Sequence, residues 1–246
     1  MHTPTQNRAW RLIERIGPPS SLFDISWFDA AITEFPGERL LVRLRPDSPA
    51  VVLGSSQNLD AVDRRVANDF GLTIVRRRSG GGAVWLDDEL AWFDVVVPLG
   101  DTLADADVQR AFLWLGDLWA KVLRAHLPHC SVIEVHRGAL GRNAVNKVIC
   151  FAGLGPGEVI VNGRKVVGIS QRRTRNYTLF QCGLLLGWNP APLVELMRPA
   201  LGAAGLGAGP SDLADLIREL RNVCTGLVDA ALADAFADAL LAEVRL

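Results

Sequence analysis

The stretch that most constrains this chain is RRRSGGGAVW, residues 76–85, which sets three arginines beside three consecutive glycines. Adjacent arginines repel one another unless an anion joins them. Consecutive glycines weaken a helix or a strand, so they suit a place where bare main chain is needed. Apolar segments typical of strands lie on both sides. We therefore predict a loop between two strands that receives a phosphate or a carboxylate, rather than a hairpin with solvated arginines.

The composition allows one large domain, or one domain with a small appendage. The chain has 246 residues, of which 49% are hydrophobic and 22% charged, and its net charge of −1 offers no overall basic field for nucleic acid. The four cysteines form no CxxC pair, so neither a metal site nor a dithiol redox motif is predicted. The first residues lack an apolar signal segment, and no apolar run approaches the ~20 residues of a membrane span. We expect a soluble, cytoplasmic protein.

The hydrophobic pattern predicts an α+β fold with mixed, mostly antiparallel sheets flanked by helices. Helices are expected at 22–35, from an Asp60 cap to Gly71, at 105–127 and after Pro190; strands are expected at 39–46, 50–54, 72–77, 83–86, 90–99, 131–135, 157–163, 165–173 and 177–188. Strands and helices do not alternate, and SGGGA is neither a GxGxxG nor a P-loop motif, so a nucleotide-binding parallel sheet is not indicated.

A second motif, NGRKVVGISQRR, carries Lys165 on a predicted strand. Alternate residues of a strand share a face, so Lys165 points the same way as Val167 and Ile169. An ammonium on that inward face needs an anionic partner. The alternative is a lysine at the strand edge whose head reaches solvent.

Together, RRRSGGGAV and GRKVVGISQRR resemble the motif pair of the lipoate–protein ligase and octanoyltransferase family, which is related to the biotin–protein ligases. The resemblance spans roughly residues 22–188. It implies a biotin/lipoate ligase-type catalytic domain at 1–205, followed by a short helical extension at 206–246. It also implies an enzyme that attaches a lipoyl or octanoyl group to one lysine of a carrier domain, in 2-oxoacid dehydrogenase E2 subunits or the glycine cleavage H protein.

The resemblance also implies the residues of the site. Lys165 would contact the acyl carbonyl or an adenylate phosphate and stabilise the charge that develops there. The implied substrate- and nucleotide-binding residues are Arg77, Ser79, Gly80, Gly81, Gly82, Ala83, Val84, Trp85, Gly168 and Ser170. Three further arginines, Arg172, Arg173 and Arg175, are interpreted as contacts for an acidic carrier domain.

The family divides by chemistry, and the residues leave three alternatives open. A ligase that activates lipoate or octanoate with ATP and Mg²⁺ is the leading interpretation, although Leu86 stands where ligases carry histidine. An ATP-independent transferase would use Cys150, which resembles the cysteine nucleophile of the octanoyltransferases. The opposing interpretation is a buried cysteine on a strand at 148–151. A non-catalytic relative that only binds an acyl group or cofactor is the third.

Overall fold

A computed structural model describes residues 9–127, 131–141, 143–207, 209–227 and 229–242. These residues form ten strands: β1 Trp10–Gly17, β2 Arg39–Pro46, β3 Ala50–Leu53, β4 Thr73–Arg76, β5 Val84–Leu86, β6 Leu90–Pro98, β7 Ile133–Val135, β8 Val159–Val161, β9 Arg164–Arg173 and β10 Tyr177–Leu185. They also form nine α-helices: α1 Pro19–Leu22, α2 Ile25–Glu34, α3 Arg64–Asp69, α4 Leu113–His126, α5 Ala144–Val148, α6 Ala191–Leu196, α7 Arg198–Ala203, α8 Pro210–Val223 and α9 Ala231–Ala242.

The strands build two sheets. The larger sheet has the order β1-β2-β6-β10-β9-β8-β7, and the smaller has the order β4-β3-β5. Only β1 with β2 and β3 with β4 pair in parallel among these strands; the other pairs are antiparallel. The predicted α+β class with mixed, mostly antiparallel sheets is confirmed.

Alternate side chains of a strand point to opposite faces of its sheet. The buried side chains therefore form three apolar layers. On β6, Phe93 and Val95 pack against α4 and α9, whereas Trp92 and Val96 face the smaller sheet. On β3, alternate side chains face the larger sheet or the helices α6 to α8. Because β3 and the centre of β6 are covered on both faces, their sequences are almost continuously apolar.

Three local expectations are corrected. The strand β1 was not predicted, because its sequence mixes charged and apolar residues at the sheet edge. The helix expected to begin at Asp60 begins later, since Asp60 lies in a 3₁₀ turn and the Asp63 carboxylate accepts from the N–H groups of Arg65 and Val66. The strand expected at 148–151 is instead the end of α5 followed by a 3₁₀ turn, Cys150–Ala152.

The C-terminal helices share the apolar layers of the rest of the chain. Phe236 of α9 is fully buried against Phe93 and Trp119, and Leu213 and Leu220 of α8 join the layer beneath the smaller sheet. The division of the chain at residue 205 remains a prediction. Within the described residues, no helix combines the length and the apolar character needed to cross a membrane.

Candidate active site

The glycine loop joins β4 to β5, and two of its three glycines are required by geometry. Gly81 has φ +103°, a conformation that side chains disfavour. A β-carbon on Gly82 would lie 2.6 Å from the nitrogen of Ile149 and 2.7 Å from that of Cys150, whereas one on Gly80 would meet nothing within 4 Å. The bare backbone at Gly82 therefore receives the chain segment that carries Cys150.

That segment is fixed to the loop by backbone hydrogen bonds. The N–H of Ala83 donates to the carbonyl of Val148 at 2.7 Å, and the N–H of Cys150 donates back to the carbonyl of Ala83 at 3.0 Å. The N-terminus of α5 is capped by Asn143, whose side chain accepts from the N–H of Asn146 at 2.7 Å. The two predicted site segments are thus brought together at Cys150.

Arg77 is 2% exposed and lies under the loop. Its Nη2 donates to the carbonyl of Gly80 at 2.7 Å and lies 3.7 Å from the Cys150 sulfur. Its Nε donates to Ser79 Oγ at 3.2 Å and its Nη1 contacts the carbonyl of Val52 at 3.4 Å. Burial lowers the pKa of Arg77, and Cys150 opposes that shift. The sulfur is the only ionisable partner among these contacts.

A buried polar network anchors the start of the loop. Gln181 Oε1 accepts from the N–H of Ser79 at 3.0 Å and from its hydroxyl at 2.7 Å. The hydroxyls of Ser79 and Ser170 lie 2.6 Å apart. Gln181 Nε2 in turn donates to Asp94 Oδ1 at 3.0 Å, and Trp92 Nε1 donates to the same oxygen at 2.8 Å. Burial raises the pKa of Asp94 to about 6, although both hydrogen bonds act to lower it.

Lys165 is 3% exposed and points inward, but the expectation that it shares a face with Val167 and Ile169 is wrong. A bulge where β8 pairs with β9 sets Lys165 opposite Ile160 and Val167 opposite Val159, so Lys165 lies on the face of Gly168. Its Nζ lies 2.7 Å from Glu158 Oε2, 2.7 Å from the carbonyl of Gly153 and 3.5 Å from that of Cys150. Burial is the largest single influence and acts to lower the pKa of Lys165, but Glu158, Cys150 and Cys224 together outweigh it and the pKa is raised. The anionic partner that the sequence required is therefore Glu158.

A cleft of about 530 Å³ opens beside these groups. Its polar wall is formed by the glycine loop, Cys150, Ser170 and Gln171, and its apolar lining includes Val108, Phe112, Leu140 and Ile169. Lys147 and Glu158 are the charged side chains in its lining. Cys150 is half-buried, so its sulfur is both supported by the protein and open to the cleft. The space and its lining suit a short aliphatic chain ending in a reactive carbonyl.

The other predicted binding residues lie away from this cleft. Ala83 and Val84 are buried in the apolar layers, and Trp85 lines a separate cavity of about 150 Å³. Gly168 supports the site from behind, because a β-carbon there would lie 3.1 Å from the ring of Phe151 and 3.5 Å from Cε of Lys165. Leu86 is fully buried.

Two of the three arginines expected to meet a carrier domain make internal contacts. Arg173 donates to the carbonyls of Asp105 at 2.6 Å and Ala106 at 2.9 Å, which ties down the segment preceding Val108 of the cleft. Arg172 contacts the carbonyl of Arg78 at 3.4 Å. Both side chains remain exposed, as does Arg175, so a second contact with a carrier stays a prediction.

Sequence reasoning missed Glu158, Gln181 and Asp94. Each is a polar residue inside or beside an apolar strand, a pattern that signals a buried hydrogen-bonded group. Their partners lie on other strands, so the pattern alone does not identify them. Of the remaining cysteines, Cys182 and Cys224 are buried, and Cys130 lies outside the described residues. Burial raises the pKa of Cys224 to about 12 and that of Cys182 further.

Comparison with known proteins identifies the family of the chain. The family model described as the lipoyl protein ligase A/B catalytic domain matches residues 26–244. The chain belongs to the lipoyl protein ligase A/B catalytic domain family.

Its fold is shared with solved lipoate–protein ligases. A bipartite lipoate protein ligase from Thermoplasma acidophilum, solved in a study of its lipoylation system with an E2 lipoyl domain, gives a TM-score of 0.71 at 16% identity, covering 97% of this chain and 84% of that one. A lipoate-protein ligase A bound with ATP gives 0.59 at 16% identity, covering 96% and 95%.

Curated relatives within this lipoyl ligase family carry transferase names. An octanoyltransferase LipM from Moorella thermoacetica is 30% identical over 153 residues, which are 61% of this chain and 54% of that protein. An octanoyl-[GcvH]:protein N-octanoyltransferase from Anoxybacillus flavithermus is 29% identical, over 69% of this chain and 58% of that protein. The match therefore spans little more than half the length of either relative. An octanoyltransferase LipM from Kyrpidia tusciae is 28% identical over 97% of this chain and 89% of its own.

Proposed function

We propose that this protein is an acyltransferase that moves an octanoyl or lipoyl group from a protein-bound donor to a lysine of a lipoyl carrier domain, through a thioester on Cys150. The observation that carries the proposal is the position of the Cys150 sulfur. It faces an apolar-lined cleft and contacts a buried guanidinium that has no carboxylate partner among its contacts. The name octanoyl-[GcvH]:protein N-octanoyltransferase of one curated relative supports transfer from one protein to another, and the name octanoyltransferase LipM of another supports octanoyl transfer.

Two displacements describe the reaction. Cys150 loses its proton and attacks the carbonyl carbon of the donor's acyl group, so that an S–C bond forms and the bond to the donor breaks, with the proton passing to the leaving group. The amine of the acceptor lysine then attacks the thioester, an amide forms, and the Cys150 sulfur leaves and recovers a proton. Carriers such as the H protein of glycine cleavage or E2 lipoyl domains are the proposed partners, and the cytoplasm is the predicted compartment.

The groups around Cys150 have separate roles in this proposal. Arg77 pairs with the thiolate, because a buried charge requires a countercharge. The N–H groups of Gly80 and Gly81, which have no hydrogen-bond partner among the described residues, donate to the carbonyl oxygen as it gains charge. The apolar lining holds the aliphatic chain and excludes water from the thioester.

The adenylate route, which requires ATP and Mg²⁺, fits these residues less well. A triphosphate needs several cationic donors. Arg77 and Lys165 are already engaged by protein acceptors, and Lys147 is the cation in the cleft lining. We therefore derive no step through a nucleotide.

A transfer assay separates the two routes. The purified protein is incubated with an unmodified lipoyl domain and either an octanoyl-carrier donor without nucleotide or free octanoate with Mg-ATP. Acceptor mass gain only with the carrier donor is expected. Gain only with free octanoate and Mg-ATP would establish the ligase, and gain with neither would leave a non-catalytic binding protein.

A further inference from the structure

Glu158 is a buried carboxylate at the wall of the cleft, and it is 5% exposed. Its Oε2 accepts from Lys165 Nζ at 2.7 Å and from the N–H of Gly155 at 2.7 Å. Its Oε1 accepts from the N–H of Ile169 on β9 at 3.2 Å. One side chain therefore joins the Lys165 strand to the turn that closes this side of the cleft.

Lys165 continues this connection to the segment that carries the nucleophile. An ammonium has three donors, and here they meet Glu158, the carbonyl of Gly153 and the carbonyl of Cys150. All three donors are occupied, and the side chain is 2% exposed. In this arrangement, Lys165 holds the backbone on both sides of the 3₁₀ turn at Cys150–Ala152, rather than offering a free N–H to a substrate.

We infer that Glu158 is a positioning residue of the acyl transfer, which keeps Lys165 charged and aimed at the Cys150–Gly153 backbone so that the Cys150 sulfur faces the cleft. The inference rests on the proposed function. A carboxylate is required because a buried ammonium without a countercharge deprotonates or draws in water. The groups that face Lys165 are Glu158, Cys150 and Cys224, and Glu158 supplies the close negative charge.

The first arm of the test needs no substrate. The chain contains three lysines, Lys121, Lys147 and Lys165, so ¹³C NMR of the ε-carbons gives three signals that arginine substitutions at Lys121 and Lys147 assign. In the wild type, the pKa of Lys165 should lie above its ordinary value. In Glu158→Gln, its midpoint should fall below that of the wild type, because the carboxylate that opposes the effect of burial is then gone.

The second arm measures single-turnover formation of the Cys150 thioester from an octanoyl-carrier donor across pH 6–9. Glu158→Gln should slow the reaction ~100-fold at neutral pH and alter its pH profile, because a displaced nucleophile loses rate on that scale. Glu158→Asp, which keeps the charge, should recover at least a tenth of the wild-type rate. Asp101→Asn is the matched control, since it removes the carboxylate of a buried pair with Arg39 away from the cleft.

The outcomes separate this inference from the proposed function. Absence of any thioester on wild-type Cys150 contradicts the proposed function. The NMR arm then still tests whether Glu158 keeps Lys165 charged. A Glu158→Gln protein that acylates Cys150 at the wild-type rate with an unchanged pH profile overturns the inference, whatever its stability. So does an unshifted Lys165 midpoint, or a loss of rate in Asp101→Asn equal to that in Glu158→Gln.

Discussion

The guanidinium of Arg77 lies 3.7 Å from the sulfur of Cys150, although 73 residues separate them in the chain. The contact is possible because the loop doubles back at Gly81 and lets the Cys150 backbone approach at Gly82. It joins the first sequence motif to the segment that carries Cys150 and gives Arg77 of that motif a role. Of the three, Arg77 is buried under the loop, whereas Arg76 is exposed.

Replacing Arg77 by lysine should slow thioester formation at Cys150 by ~10- to 100-fold while the protein stays folded. A lysine keeps the charge but loses the planar fork that reaches the carbonyls of Val52 and Gly80 together with the sulfur. The rate is measured by quenched-flow mass spectrometry. Arg76→Lys, a change at the exposed neighbour, serves as the control and should behave like the wild type.

Gly82→Ala should destabilise the protein by ~1–3 kcal/mol and abolish most transfer activity, because the new methyl group meets the backbone of Ile149 and Cys150. Gly80→Ala changes the same kind of residue two positions away, where the space is open, and should stay within ~0.5 kcal/mol of the wild type. Urea unfolding and the transfer assay check both variants. Equal effects of the two substitutions would contradict the close approach at Gly82.

Asp94 should give the stability a pH dependence of unusual sign for a carboxylate. The pKa of Asp94 in the folded state is about 6, above the ordinary value. The stability that its tighter proton binding contributes is therefore complete below pH ~4 and is lost as the pH rises through about 6. Between pH 4.5 and 7.5, the wild type should therefore lose ~2 kcal/mol relative to Asp94→Asn. Parallel urea titrations at both pH values measure the difference, and a constant difference would show that Asp94 titrates normally.

The C-terminal helices should be part of one folding unit with the sheets. Phe236→Ala should cost ~3–5 kcal/mol, because its ring is fully buried against Phe93 and Trp119. Val223→Ala, on the exposed side of α8, should cost less than ~1 kcal/mol. A single unfolding transition, shifted by Phe236→Ala when followed by tryptophan fluorescence, is expected. An independent early transition would instead favour a separate segment after residue 205.

The sequence alone predicts those features that depend on local periodicity. The loop at Gly80–Gly82 follows from the lack of side chains. The face of Lys165 does not follow from simple alternation, because the bulge where β8 pairs with β9 separates it from Val167 and Ile169. The turn at Cys150 could not be predicted in this way. The run Val148–Phe151 is apolar because its first two residues pack in one apolar layer and its last two in another, so its sequence resembles a buried strand. Glu158 was missed because its hydrogen-bond partners lie on β9 and in the turn before Glu158. The spacing of residues in the sequence does not indicate that these segments are in contact.

The most direct test of the central claim is the intact mass of the protein after incubation with an octanoyl-carrier donor, without acceptor and without nucleotide. Octanoyl mass gain that is released by hydroxylamine, maps to Cys150 and disappears in Cys150→Ser is the predicted result. A wild-type protein that stays unmodified while still transferring the acyl group to a lipoyl domain would contradict the thioester route.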